Sequence, residues 1–96
     1  MSLTYVLSPM AEADLEDIWA HTAGSWSADQ SEIYTNDVIN VFEELAEGQR
    51  NGKPVEVCEG YLKALVGRHA IYFQVRGHVI IIIRILHQSM DVERHL

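Results

Sequence analysis

The stretch that decides the fold is Val79 to His87, which reads VIIIIRILH. Aliphatic residues fill it up to Leu86, with Arg84 as the interruption, and this pattern is typical of a strand buried inside a fold. A polar tail from Gln88 follows at once. Because side chains carried by a buried strand stand on a rigid support, the C-terminal segment is the first place to look for function.

Two more strands are predicted immediately upstream, at residues 61–66 and 69–76. Both alternate with a period of two and are rich in Val, Ile, Tyr and Phe. Gly67 and Gly77 mark the connections to the next strand. Connections this short force neighbouring strands to run antiparallel.

The first half of the chain predicts two amphipathic helices. Ser8 is a good N-cap and Pro9 suits the first helical position, while Ser27 opens a capping box for the second helix. The apolar stripes of the two helices include Leu15, Trp19 and Tyr34. Only a few residues join the helices, so they should form an antiparallel hairpin.

These elements predict one α+β domain over residues 1–96. A short N-terminal strand at residues 4–7 precedes the helices. The two-helix hairpin should pack on one face of a three- to four-stranded antiparallel sheet, and a short tail should end the chain.

The register of the last hairpin follows from the Gly77-His78 turn. A two-residue turn places Phe73 opposite Ile82 and Ile71 opposite Arg84. One sheet face is then uniformly apolar and should take the helices. The other face carries an aliphatic ridge that includes Ile81, Ile83 and Ile85, with Tyr72 among its polar neighbours, and a monomer seldom exposes such a ridge. Either the chain's own tail covers it or a partner docks there.

Charge and composition exclude several classes of function. The 96 residues include 7 Lys and Arg against 14 Asp and Glu, for a net charge of -7. Long-range attraction to nucleic acid is therefore not expected. No stretch approaches the roughly 20 apolar residues of a membrane helix. A single cysteine, Cys58, and the absence of a secretory signal pattern predict a cytoplasmic protein.

Several motifs carry a family resemblance. They are LSP at residues 7–9, AEADLEDIW at 11–19, VGRH at 66–69, IRILH at 83–87 and MDVERHL at 90–96. Together they closely resemble the ParE toxins of bacterial toxin-antitoxin modules, within the RelE/ParE superfamily. The C-terminal motif is the most specific of them, and the resemblance spans the chain.

The resemblance implies a β-α-α-β-β-β fold, inhibition of DNA gyrase without an enzymatic step or cofactor, and neutralisation by a ParD antitoxin that wraps around the toxin. The motif assigns gyrase binding to Arg84, His87, Asp91, Arg94 and His95. Antitoxin binding is expected on the helix faces and on the open sheet face, at Leu15, Trp19, Tyr34, Tyr72, Ile81, Ile83 and Ile85.

Other interpretations remain open at the level of sequence. RelE-type toxins of the same superfamily cleave messenger RNA, and Arg84 and His87, with Arg68 and His69, imitate part of a nuclease set. The usual lysines and a late tyrosine are missing, however, since Tyr72 is the last tyrosine. A non-toxic homologue that binds only an antitoxin is a further alternative.

Two other interpretations, a purely structural role and a metal site, concern the same C-terminal residues. Arg84 could simply pair with an acidic residue of the first helix. His87, Asp91 and His95 are spaced like metal ligands on a helix, but residues eight apart lie about 12 Å apart along the axis and cannot share an ion. No metal site is predicted.

Overall fold

The computed structural model describes residues 3–25, 27–56, 58–90 and 92–96. Its elements follow the predicted order closely. They are β1 (Thr4–Leu7), α1 (Pro9–Ser25), α2 (Ala28–Ala46), β2 (Lys53–Pro54), β3 (Leu62–Val66), β4 (His69–Arg76), β5 (Val79–His87) and α3 (Val92–His95).

The strands of the described residues form one five-stranded sheet in the order β1-β5-β4-β3-β2. β5 lies between β4, which runs antiparallel to it, and β1, which runs parallel. The predicted α+β class is confirmed, and the sheet is larger than predicted. Pairing of β1 with β5 makes it mixed, and the two-residue β2 adds a strand within a segment that composition marked as loop.

Both helices begin where their capping residues predict. The Ser8 hydroxyl accepts the Ala11 N–H at 3.0 Å, and the Ser27 hydroxyl accepts the Gln30 N–H at 3.2 Å. Each of these bonds satisfies one of the backbone donors that a helix leaves unpaired at its first turn. The hairpin of α1 and α2 is thereby fixed at both of its N-termini.

The predicted hairpin register is confirmed from Arg76 opposite Val79 to Phe73 opposite Ile82. It then shifts by one residue, because Tyr72 lies opposite Arg84 and leaves Ile83 as the extra residue of a bulge. The Ser8 hydroxyl donates to the Ile83 carbonyl at 2.8 Å. The start of α1 therefore holds the bulge in place.

The bulge corrects one face assignment. A shift of one residue moves every later side chain to the opposite face. Ile85 therefore lies opposite Ile71, under the helices, and is only 3% exposed. Its predicted place on the open-face ridge is wrong, whereas Ile81, which precedes the bulge, keeps its predicted face.

The core between helices and sheet forms one cluster. It combines residues of β4 and β5 with the inner faces of α1 and α2, and Leu15 and Tyr34 pack at its margin. The largest fully buried side chains are Phe42, Phe73, Ile71, Ile80 and Ile82.

A second, smaller cluster lies on the open face of the sheet around Tyr72 and Leu86. Val55 from the loop between β2 and β3 covers it, and Val92 and Leu96 from the tail pack against it. Of the two alternatives for the open face, coverage by the tail is therefore found at this end, around Tyr72 and Leu86. Burial raises the pKa of the Tyr72 phenol.

Candidate functional site

A cavity of about 550 Å³ opens between α1 and the C-terminal end of β5, beside the β3–β4 turn. Its volume lies within the range of small-molecule sites, roughly 300 to 1,000 Å³. Its buried lining is apolar, with Ile18, Ile85 and Leu86. Its half-buried lining is Asp14, Tyr34, His69 and His87, and its exposed lining is Asp17, His21, Arg68, Ser89 and Met90.

Asp14 and Arg84 form a bidentate ion pair on one side of this cavity. Arg84 donates through Nε at 2.7 Å and through Nη2 at 2.9 Å to the two carboxylate oxygens. The Ile85 backbone N–H donates to the same carboxylate at 3.0 Å. Asp14 therefore satisfies a backbone donor of β5 beyond the last residue that β1 pairs with. The hydrogen bonding of Arg84 to the Asp14 carboxylate is the main reason that the pKa of Arg84 is raised.

Arg84 also reaches the C-terminal tail. Its Nη1 donates to the His95 carbonyl at 3.4 Å, near the end of α3. One guanidinium therefore connects α1, β5 and α3. The sequence alternative in which Arg84 pairs with an acid of the first helix is confirmed, and the acid is Asp14.

The Tyr34 hydroxyl determines which ring nitrogen of neutral His69 carries the proton. The Tyr34 hydroxyl oxygen accepts the Arg68 backbone N–H at 3.1 Å and lies 2.6 Å from His69 Nδ1. Its other acceptor neighbour, the Val66 carbonyl, is 3.4 Å away. A separation of 2.6 Å is shorter than usual for an N–H donor and ordinary for an O–H donor, so we infer that the hydroxyl donates to Nδ1 and that neutral His69 carries its proton on Nε2.

Gly67 lets Tyr34 come this close. Gly67 has φ +53°, and a Cβ built there would lie 2.5 Å from the Tyr34 ring. A side chain at this position would meet the ring and would also be strained in the left-handed region. The glycine of the predicted β3–β4 turn thus shapes the cavity as well as the turn.

Ser89 determines which ring nitrogen of neutral His87 carries the proton. The Ser89 backbone N–H donates to His87 Nδ1 at 3.1 Å, and the Ser89 hydroxyl lies 2.7 Å from the same atom. A backbone N–H can only donate, so Nδ1 holds the lone pair and Nε2 holds the proton. The rings of His69 and His87 meet edge to face with centroids 5.3 Å apart.

Neither Nε2 atom is fully buried. Neither has a hydrogen-bond partner among the described residues. Within that part of the chain, Thr35 Oγ1 is the one buried side-chain nitrogen or oxygen that lacks a partner. The two Nε2–H groups, on rings that line the cavity, are therefore accessible donors.

The stability of the fold should depend on pH through His69. Burial, then the neighbouring His87, lowers the pKa of His69, and Asp14 partly opposes the shift. The unfolded chain, with a pKa of about 6.5, then binds the proton more readily than the folded protein does. The free energy of unfolding should therefore fall as the pH drops below about 6.5 and through the lower folded pKa.

Urea unfolding at a series of pH values between about 7.5 and 5 checks this. The substitution His69→Gln should flatten the decline, whereas His78→Gln, in the exposed β4–β5 turn, should leave it unchanged. A wild-type slope that persists in His69→Gln would assign the decline to other groups.

The predicted gyrase-binding residues occupy different environments. Arg84 is held by Asp14, and His87 lines the cavity. Arg94 and His95 lie on α3 and are exposed, and Asp91 lies outside the described residues. The three metal-ligand types do not share one helix, because His87 ends β5 and α3 begins at Val92. No group of three or more metal-binding side chains occurs in the described parts of the chain.

The predicted antitoxin-binding residues also differ in how exposed they are. Trp19 is 48% exposed, and Ile81 and Ile83 are half-buried and pack in neither core cluster. Leu15 packs at the core margin and Tyr34 lines the cavity. Tyr72 and Ile85 are buried.

The sequence analysis did not predict that α1 forms one wall of the cavity. Asp14 and His21 are seven residues apart, which puts them on one face of α1 across two turns. That spacing was a usable signal. The polar role of Tyr34 had no such signal, because it depends on the β3–β4 turn that comes more than thirty residues later.

Solved structures with this fold include two from toxin-antitoxin systems. One, described as a chromosomal ParDE TA system from P. aeruginosa, matches with a TM-score of 0.79 and 22% identity over 90% of this chain and 96% of that chain. The other, a RelBE2 toxin-antitoxin complex from Mycobacterium tuberculosis, matches with a TM-score of 0.59 and 19% identity over 91% and 99%. The fold is that of the RelE/ParE superfamily.

Sequence comparisons are more specific. The model of the ParE toxin of type II toxin-antitoxin systems, parDE, matches residues 5–92. Toxin ParE1 of Mycobacterium tuberculosis is 40% identical over the full length of both chains. Toxin ParE1 of Caulobacter vibrioides is 38% identical over 96% of each. The chain belongs to the ParE toxin family of type II toxin-antitoxin systems. None of the described helices is long and apolar enough to cross a membrane.

Proposed function

We propose that this chain inhibits DNA gyrase through protein-protein contact, without a catalytic step, and that a ParD-like antitoxin neutralises it. The observation that carries the proposal is the family match over residues 5–92, together with a ParE toxin that is 40% identical over the full length of the chain. Gyrase acts in the cytoplasm, so the proposed target agrees with a cytoplasmic protein.

The chemistry of the cavity supports a non-enzymatic function. A nuclease of the RelE type needs a group that removes the proton of the 2'-hydroxyl. In both His69 and His87 the lone pair of the neutral ring is at Nδ1, where a donor already occupies it. Neither imidazole can then take a proton without first losing a structural hydrogen bond. Arg84 is likewise engaged with Asp14 rather than open to a phosphate.

The target-facing surface in this proposal is the C-terminal end of the chain. Arg94 and His95 are exposed on α3, beside Glu93, so Arg94 presents a positive charge at this end of a protein with a net charge of -7. Arg84 and His87 contribute from β5 as the support of that surface. Arg84 does so directly, through its bond to the His95 carbonyl.

Gyrase supercoiling assays with the purified chain test the proposal. The wild-type protein should inhibit supercoiling, and Arg94→Gln should inhibit less than the matched variant Arg76→Gln, which alters an exposed arginine at the far end of β4. Expression in bacteria should produce filaments. Cleavage of translated messenger RNA together with normal supercoiling would overturn the proposal in favour of a nuclease.

The antitoxin surface in this proposal is the open-face ridge, now defined as Val6, Ile81 and Ile83. Val6 pairs with Ile81 across β1 and β5 and is 50% exposed. β1 is also an edge strand, and an extended segment of the antitoxin can pair with such an edge. At the other edge, β2 has only two residues, Lys53 and Pro54. A short edge strand with a lysine and a proline resists strand addition, so β1 is the preferred edge.

Trp19 extends the proposed surface to the helices. It is 48% exposed on α1. A large aromatic side chain of this kind is typical of binding hot spots. The buried residues Tyr72 and Ile85 have no part in the proposed contact.

A further inference from the structure

The cavity beside α1 has a defined hydrogen-bonding character that the proposed function does not use. His69 and His87 each accept a hydrogen bond at Nδ1 and hold their proton on an accessible Nε2. An Nε2 that carries a proton cannot ligate a metal ion, which needs the lone pair. The two rings therefore favour a ligand that accepts hydrogen bonds.

The two imidazole rings are neighbours in the cavity wall, so one ligand group can contact both. Their ring centroids are 5.3 Å apart, and each donor would lie about 2.8 Å from an oxygen in a hydrogen bond to a charged acceptor. A group with two oxygens can bridge such a pair. The buried lining of the cavity, Ile18, Ile85 and Leu86, is apolar, so the rest of the ligand should be apolar too.

The charges around the cavity favour an anionic group on the sheet side. The Arg68 side chain is exposed at the rim and makes no hydrogen bond or ion pair with the described residues. Asp14 is ion-paired with Arg84, so the pair adds no net charge, although Asp14 lies close enough to His69 to oppose the lowering of the His69 pKa. Asp17 is the opposing charge, and it is exposed on the helix wall, where water screens it.

We propose that this cavity is a binding site for a carboxylate on a small apolar body, with His69, His87 and Arg68 as donors to the carboxylate. An acidic side chain of a protein partner or a small organic acid can supply that chemistry. The site shares His87 with the proposed gyrase-facing surface but uses neither the exposed residues of α3 nor the open-face ridge.

NMR of the full chain with imidazole nitrogen-15 detection tests the proposal directly. In the free protein, both rings should carry the proton on Nε2. Isovalerate, a carboxylate on a branched apolar chain, should shift the His69 and His87 signals and saturate. Its neutral amide should bind about tenfold more weakly, because hydrogen bonds to a charged acceptor are roughly twice as strong.

Matched variants separate this site from general anion binding. Arg68→Gln should weaken isovalerate binding about threefold and Asp17→Asn should tighten it by a similar factor, as expected for exposed charges. Arg76→Gln and Glu16→Gln, at exposed positions outside the cavity, should change nothing. Inorganic phosphate, which lacks an apolar body, should bind more weakly than isovalerate.

Several results would overturn the proposal. They are protonated Nδ1 atoms in the free protein, no saturating shift with isovalerate, tighter binding of phosphate, and equal effects of Arg68→Gln and Arg76→Gln. Repeating the titration with the antitoxin complex distinguishes the sources of the ligand. Loss of isovalerate binding there assigns the carboxylate to the antitoxin, and retained binding assigns it to a small organic acid.

Discussion

Replacing Arg84 with methionine should lower the free energy of unfolding by about 3 kcal/mol, the size expected when one partner of a buried ion pair is removed. The side chains of Arg84 and Asp14 are only 14% and 13% exposed, so solvent screens the pair little. Methionine keeps an unbranched apolar stem but removes both guanidinium donors, so that of the three donors only the Ile85 N–H remains for the Asp14 carboxylate. Urea unfolding measures the loss.

Three further variants make this prediction specific. Arg76→Met, at an exposed position of the same sheet, should change stability by no more than about 0.5 kcal/mol. Arg84→Lys should lose part of the stability, because lysine keeps the charge but not the bidentate geometry. Asp14→Asn combined with Arg84→Met should cost less than the sum of the single changes. Additive losses would mean that the two residues act separately.

Arg84→Met should also loosen the tail. The Arg84 guanidinium donates to the His95 carbonyl, so its loss should speed amide hydrogen exchange in α3 more than in α2. If exchange in the two helices accelerates equally, the effect is one of global stability alone.

Local patterns were sufficient to predict most of the fold. The bounds of β4 and β5 match the predicted strands at 69–76 and 79–87, because glycine turns and a two-residue period mark them clearly. The N-caps Ser8 and Ser27 also act as predicted. Each of these signals is contained within a few residues of the chain.

Features that depend on distant residues could not be read from the sequence. The bulge at Ile83 accompanies a hydrogen bond from Ser8, seventy-five residues earlier, and it reverses the predicted face of Ile85. The parallel pairing of β1 with β5 depends on tertiary packing in the same way. For the site, the sequence placed Arg84 and His87 at the right end of the sheet and offered an acidic partner for Arg84 on the first helix, but only the folded structure identifies that acid as Asp14.

Val6→Asp should weaken the complex with a ParD-like antitoxin at least about tenfold, the loss expected when an interface anchor is replaced. Val6 is 50% exposed and pairs with Ile81 on the open-face ridge. An aspartate there stays solvated in the free toxin but must lose water when an apolar antitoxin surface covers it. The fold itself should therefore tolerate the change, with a cost below about 1 kcal/mol.

Val75 provides the matched control, since it is 46% exposed on the helix-facing side of β4 and thus away from the ridge. Val75→Asp introduces the same charge at nearly the same exposure, so it should leave antitoxin affinity unchanged. Ile83→Asp, on the ridge but half-buried, should weaken the complex more than it weakens the fold. Affinities from titration calorimetry and stabilities from urea unfolding give both quantities for each variant. If Val6→Asp and Val75→Asp weaken the complex equally, charge rather than the ridge controls antitoxin binding, and the docking surface lies elsewhere.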